Sequence, residues 1–352
     1  MRDRDPVFPL GKLPNEYLQG LLDRYIFTRE RVIMGPKIGE DAAVVDGGDR
    51  YLVLKTDPIT FVAEDVGWYV IQINANDLAC RGAKPQWFLV TLLLPEGNAS
   101  LSSVEGVFAQ ISQACKSLGI SWVGGHTEIT YGLERPIVVG FMVGEVAKER
   151  LITTSGARVG DDIILTKGIA IEATSIIARE RADLLRRKGY GEEFLLRCRD
   201  FLHHPGISIV KEAGIAVEAV SVHSMHDPTE GGLANGLCEL AWAANVGLWV
   251  ELDSIGIYPE TRVLCQEFSL DPMGLIASGA LLLTMSPSET STLLQRLAQE
   301  GIEASLIGKV VTRQEGIRTK GAKGEMDLSY FERDEIAKIF TSEGNRLDLG
   351  RE

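Results

Sequence analysis

No apolar run in the 352-residue chain approaches the length of a membrane span; the longest, WFLVTLLLP and PIVVGFMVG, are strand-sized. The opening MRDRDPVFPLGK puts charge where a signal peptide needs an apolar stretch, so a cytoplasmic protein is expected. Cysteine is scarce. Cys80, Cys115, Cys198, Cys238 and Cys265 form no CxxC pair and are odd in number, so neither a disulfide framework nor a structural zinc site is signalled. Positive charge is also in deficit, with 36 Lys and Arg against 49 Asp and Glu and a net charge of −13. That balance excludes sequence-independent nucleic-acid binding and adhesion to anionic membranes, while leaving room for a local basic pocket for phosphate. The familiar nucleotide signatures are missing too. GGLANGLC has P-loop glycine spacing without the lysine, no GxGxxG follows a strand, and no GxSxG elbow supports serine-based acyl transfer.

What is present is ordinary globular material, 45% hydrophobic and 24% charged, and long enough for about two domains. LPNEYLQGLLDRYIF has the spacing of an amphipathic opening helix, within a lead segment 1–34. AAVVD, YLVLKTD, WFLVTLLL and IVVGFMVGEV read as strands, with helices near 68–80 and 102–119 between them; Cys115 falls on the buried stripe of the second. Apolar density drops around RLITTSGARVGDD, which predicts a boundary near residue 150, a first domain over 35–150 and a second over 151–345. The second is expected to hold helices over 171–188, 192–202, 207–220 and 233–244, the strand DIILTK, and the run ASGALLLTM, SETSTLLQRLAQEG and ASLIGKVV as strand, helix and strand. Strands and helices mix without regular βαβ alternation, so the class is α+β, and residues 346–352 read as a loose tail.

Carboxylates recur at strand ends and helix ends: Asp41 in GEDAAVVD, Asp57 at the end of YLVLKTD, and Asp77 in INANDLAC. Singly, each could cap a turn or sit on a solvated face. Together they match what Mg²⁺ requires, hard oxygen ligands shared with nucleotide phosphates. GGHT, Gly124 to Thr127, offers bare backbone and a hydroxyl to a phosphate, or else a tight turn. In HDPTEGGLANG, Asp227, Pro228 and Thr229 read as a helix start, and Gly231 and Gly232 leave first-turn amides open to an anion. His203-His204 and His223-x-x-His226 lack a companion cluster at metal spacing, so loop and capping roles are expected for His203, His204 and His223.

IGEDAAVVD, LKTDPIT, NANDLACRGAKP, GGHTE, DPTEGGLA and SGALLL occur in the order found in the AIR synthase (PurM-like) superfamily. The chain resembles that superfamily over roughly residues 10–345, and its HypE-like branch most. The resemblance implies an N-terminal domain that forms a dimer-spanning β-barrel with its twin, an α+β C-terminal domain, and Mg²⁺-ATP in a cleft between them. By the same resemblance, Asp41, Asp57, Asp77 and Asp227 would hold metal, Asn76, Gly124, Gly125, Thr127, Thr229, Gly231 and Gly232 would line the nucleotide, and Lys37, Asp57 and His126 would act on the transferred phosphate.

Three positions depart from the pattern. HypE itself ends in a cysteine that carries the thiocarboxamide, whereas this sequence ends NRLDLGRE; HypE-like chains carry Arg where Glu230 stands; and His126 replaces the acid of the kinase and synthase motifs. No reactive cysteine or selenocysteine in the N-terminal segment supports a selenophosphate reading. The expected function is activation of an amide, thioamide or similar small-molecule or peptide-borne acceptor by phosphoryl transfer. Two alternatives stay open: an ATP-binding maturation partner without turnover, and a kinase resembling thiamine-monophosphate kinase. A homodimer is expected, with a maturation protein as a further partner.

Overall fold

The computed structural model describes residues 7–8, 13–37, 39–60 and 64–340; the expected tail over 346–352 lies outside them. The chain builds two sheets in succession. The first has six strands in the order β1-β2-β3-β6-β4-β5, made of β1 Val32–Met34, β2 Ala43–Asp46, β3 Arg50–Ile59, β4 Lys84–Pro95, β5 Ser121–Thr130 and β6 Ile137–Ala147. The helix α1 Asn15–Tyr25 precedes it, and α2 Val66–Ala79 and α3 Leu101–Leu118 pack on it. Serine at the start of α3 closes a capping box and Gly119 ends the helix in the left-handed region, so this element begins and stops where its sequence says.

The second sheet has seven strands in the order β13-β12-β9-β11-β7-β10-β8. These are β7 Asp162–Thr166, β8 Val222–His226, β9 Gly247–Glu251, β10 Leu282–Met285, β11 Ala304–Val311, β12 Ile317–Gly321 and β13 Gly324–Asp327. Its helices are α4 Ile171–Glu180, α5 Ala182–Arg187, α6 Glu192–Asp200, α7 Val210–Ala219, α8 Gly232–Ala244, α9 Pro259–Phe268, α10 Thr290–Gln299 and α11 Ala337–Phe340. Helix expected without interruption over 171–188 breaks at Arg181, which separates α4 from α5. Every residue of β7 and β10 is buried, which explains their unbroken apolar runs. The α+β class holds. Among the described residues no closed barrel forms, because the six-stranded sheet keeps two open edges, β1 and β5. No helix of the described residues is long and apolar enough to cross a membrane.

The element that joins the two halves is α2. Twelve of its residues are buried, among them Gln72, Asn74, Asn76 and Asp77, an uncommon polar load for an interior helix. It lies on β3 and β6 because Gly140 leaves no side chain in the way; a Cβ there would meet Asn74 Nδ2 at 2.4 Å. Its far face meets α7 of the second half, and one apolar cluster runs from Val70 and Leu78 through to Ile171, Phe201 and Ile207.

Candidate functional site at the junction of the two halves

The C-terminal end of α2 organises the site. Asp77 points back at β3, where Lys55 and Asp57 share a face because strand side chains alternate. Lys55 Nζ lies 2.9 Å from Asp77 Oδ2 and 3.5 Å from Asp57 Oδ2. Three residues on, the Cys80 thiol donates to Asp227 Oδ1 at 3.4 Å, which ties the first half to the residue after β8. Arg81 follows, fully buried, paired with Glu40 and donating to Thr154 Oγ1 at 2.9 Å.

Glu40 and Asp41 are neighbours with different fates. Both oxygens of Glu40 are engaged, by Arg81 and by the backbone amides of Thr154 and Ser155 at 3.3 Å, with the Ser155 hydroxyl at 3.0 Å. Its role is to fix the loop. Asp41 is thereby presented to His226 and Asp227, and one oxygen or nitrogen from each of the three lies within 4.8 Å of the others. The acid beside the apolar strand AAVV is thus held by its own neighbour's buried ion pair.

Electrostatics describe the same convergence. Burial, partly offset by Lys55, holds the Asp77 carboxyl well above the ordinary range, and Asp227, Asp41 and Asp57 add to the rise. Burial and Asp41 push Asp227 up to about 6, against the pull of His226 and Lys55. Burial disfavours the charge on Lys55, yet Asp77, Asp57 and Asp41 together raise it above a normal lysine. His226 is buried as well, but Glu239, which accepts from its Nε2 at 2.9 Å, and Asp41 and Asp227 raise it to about 9. Protonated, that imidazole is a cation rather than a metal ligand. The remaining donors are carboxylate oxygens, and Asp227 Oδ2 is buried with no hydrogen-bond partner. Hard oxygens around an unsatisfied buried carboxylate fit Mg²⁺.

Of the four expected metal ligands, Asp41 and Asp227 lie close enough to share an ion, while Asp57 and Asp77 meet at Lys55 and act on that pair through their charge. Other expected residues are placed differently. Asn76 is buried and joins the halves, donating to Ile207 O at 2.8 Å and accepting from Ile209 N at 2.9 Å. GGHT is not a turn: Gly124, Gly125, His126 and Thr127 continue the edge strand β5, paired with Leu89 to Leu92, and all four are exposed. The bare face of Gly125 is already used, since a Cβ there would lie 2.0 Å from Val90 O. Gly124 has open space, with only Leu89 Cδ2 at 3.8 Å. His126 sits 3.2 Å from Glu128 on the surface. At the start of α8, the amides expected to be open are occupied: Gly231 N donates to Asp334 at 2.7 Å and Gly232 N to Thr229 O at 2.9 Å. Lys37 is exposed and bridges Glu40 through the backbone.

Two site residues, Lys55 and Arg81, escaped the sequence reading, and a third, His226, was noted only as part of His223-x-x-His226. Lys55 stands two residues before Asp57 in YLVLKTD, and that strand alternation was the available signal. His226 directly precedes Asp227, and Arg81 follows the helix whose acid was already marked.

Comparison with known proteins agrees with this architecture. The family model described as AIR synthase related protein, N-terminal domain, matches residues 39–146, and the model for the C-terminal domain matches residues 158–320. Carbamoyl dehydratase HypE of Rhodobacter capsulatus is 26% identical over 294 residues, covering 81% of this chain and 82% of that protein. A crystal structure of hydrogenase maturation protein HypE in complex with ATP superposes with a TM-score of 0.69 at 21% identity, over 91% of this chain and 96% of that one. A HypE-HypF complex gives 0.73 at 17% identity, over 90% and 100%.

Proposed function

Because the chain belongs to the AIR synthase related family, whose two domain models together span most of it, we propose that it is a Mg²⁺- and ATP-dependent enzyme that activates an amide, thioamide or similar acceptor by phosphoryl transfer, as a HypE-like protein would. The observation that carries the reading is the meeting of Asp41 and Asp227 at a buried carboxylate oxygen without a partner, beside Asp57 and Asp77, which Lys55 ties together. Phosphoryl transfer asks a protein mainly to position groups and to neutralise charge.

In this reading Asp41, Asp57 and Asp227 hold the metal, and Asp77 keeps Lys55 oriented. Mg²⁺ held by these carboxylates would supply positive charge to offset that of the phosphates. Lys55, held charged by its acids, is the cation nearest the carboxylates and takes the place beside the transferred phosphate for which Lys37 was first considered. Protonated His226 balances Asp41 and Asp227 from the other side. Gly124 and Thr127 would meet the nucleotide from the edge strand; that strand is also the surface through which a second copy would complete a barrel. Val123 and Ile129 on it are exposed, which suits pairing with a twin.

All five cysteines of the chain are buried, so the acceptor would not ride on an exposed thiol of these residues. It would arrive on another molecule, a small compound or a peptide of a maturation partner. That same observation favours a second reading, an ATP-binding assembly factor that releases no product.

The test is ADP formation and Mg²⁺-dependent binding of an ATP analogue by the purified protein. Asp57→Asn should lower nucleotide affinity by on the order of 100-fold in Mg²⁺ and have little effect in EDTA. Equal affinity of parent and variant in Mg²⁺ would remove Asp57 from the metal site. Tight binding with no ADP under any acceptor would select the assembly factor.

A further inference from the structure

His226 has a use beyond balancing charge. It closes β8, is 2% exposed, and places its Nε2 2.9 Å from Glu239 on α8. Its other ring nitrogen, Nδ1, is buried without a hydrogen-bond partner, and Asp41 Oδ2 stands 3.6 Å from it, too far for a hydrogen bond. Asp227 repeats the pattern. The Cys80 thiol engages its Oδ1 at 3.4 Å, while its Oδ2 is buried and unsatisfied. Folded proteins rarely leave buried polar atoms unpaired, and here a nitrogen and an oxygen on successive residues are both left so.

The spacing suits an ion. Ligand atoms of Asp41, His226 and Asp227 lie within 4.8 Å of one another, and two ligands of a single small dication stand about 3–4 Å apart. The donor set then selects which ion. Mg²⁺ takes hard oxygens and gains little from an imidazole, whereas Mn²⁺, Co²⁺ and Zn²⁺ accept carboxylates and a histidine nitrogen together. A ligating histidine commonly gives its second N–H to a carboxylate, which fixes the ring and aims the first nitrogen at the metal. Glu239 occupies that place, accepting from Nε2 and leaving Nδ1 to the ion.

We propose that Asp41, Asp227 and His226 Nδ1 form a three-ligand site that prefers a transition-metal dication of the Mn²⁺, Co²⁺ and Zn²⁺ class to Mg²⁺, with Glu239 as the positioning residue. In the metal-free protein Nδ1 carries a proton; the entering ion takes the nitrogen lone pair, and that proton leaves to solvent. The use of the ion in phosphoryl transfer rests on the reading above; its binding does not.

The experiment titrates Mn²⁺ into the nucleotide-free, full-length protein and reads the complex by pulsed EPR, which detects nitrogen bound directly to the ion. The parent should bind Mn²⁺ about 100-fold more tightly than Mg²⁺ in competition and show a nitrogen coupling that shifts when its histidines carry heavy nitrogen. His226→Gln should abolish the coupling and weaken Mn²⁺ about 10-fold or more, with little change for Mg²⁺. Glu239→Gln should keep the coupling and weaken Mn²⁺ about 10-fold, where a merely structural role would weaken both ions alike. No nitrogen coupling in the parent, equal affinity for the two ions, or coupling that survives His226→Gln would overturn the site. Should His226→Gln misfold, as judged by circular dichroism, the coupling in the parent and the selective loss in Glu239→Gln decide. Metal-dependent binding of an ATP analogue, measured on the same samples, separates the two ideas. Analogue binding without nitrogen coupling removes only the His226 site. Nitrogen coupling that depends on His226, without analogue binding under either ion, leaves the site and removes the phosphoryl-transfer reading.

Discussion

Around Asp41, Asp57, Asp77 and Asp227 each acid has a cation at hand: Lys55 touches Asp77 and Asp57, and His226 acts on Asp41 and Asp227. Glu172 is raised by burial, with Asp334, Glu230 and Asp57 adding to the rise and the Ser278 hydroxyl lowering it through a hydrogen bond, where the first cluster has an ammonium and an imidazolium. The two groups share Asp57 and a cleft, so the contrast is one of compensation rather than of depth. A compensated cluster stays folded around its charges while it waits for a metal. A carboxyl without a cation at hand is held toward its protonated form near neutral pH.

The largest effect should come from making the first cluster resemble the second. Lys55→Met leaves buried Asp77 without its partner, which costs about 3–5 kcal/mol for a pair of this kind. Asp77 and Asp227 already titrate above their unfolded values, and loss of Lys55 moves them higher. A carboxyl raised by folding lowers stability once the pH exceeds its unfolded value. The loss should therefore be full at pH 8 in EDTA and should fade as the pH falls toward about 4. Denaturant melts at the two pH values read it directly. A variant as stable as its parent at pH 8 would mean that Lys55 is not what balances the acids.

The second cluster makes the opposite prediction. Burial raises Glu172 from 4.5 to about 7, so the unfolded chain ionises first, and stability falls as the pH climbs through that window. The shift corresponds to on the order of 3 kcal/mol. Glu172→Gln should recover about 2–3 kcal/mol at pH 8 and almost nothing at pH 4.5, with the metal chelated throughout. Parallel curves for parent and variant would erase the distinction between the two clusters.

The first cluster was legible in the sequence and the second was not, for a physical reason. Asp41, Asp57 and Asp227 stand beside proline or a β-rich run, where a carboxylate interrupts the pattern, and Asp77 was marked inside the helix INANDLAC. Glu172 sits inside GIAIEATSIIA, where helical spacing would turn an isolated acid to solvent; only the packing of α4 on the first half buries it. Asn76 differs in the converse way: its place in a motif suggested a ligand, and in the structure its amide bonds the 207–209 loop at both ends. The long helices and buried strands were readable from period, as α3 and α8 show, while α9 and the short strands β12 and β13 went unplaced because their faces are defined by neighbours far away in sequence.

The smallest effect belongs to Ser278, and it sharpens the comparison most finely. Its buried hydroxyl has no partner at good hydrogen-bond geometry and lowers the Glu172 carboxyl only through a loose bond, so Ser278→Ala removes one buried polar group and little bonding. Stability should change by less than about 1 kcal/mol, toward the more stable side. A marked loss of stability would mean that Ser278 bonds Glu172 firmly. The second cluster would then be compensated internally, as the first is, and the contrast between them would reduce to the identity of the compensating group.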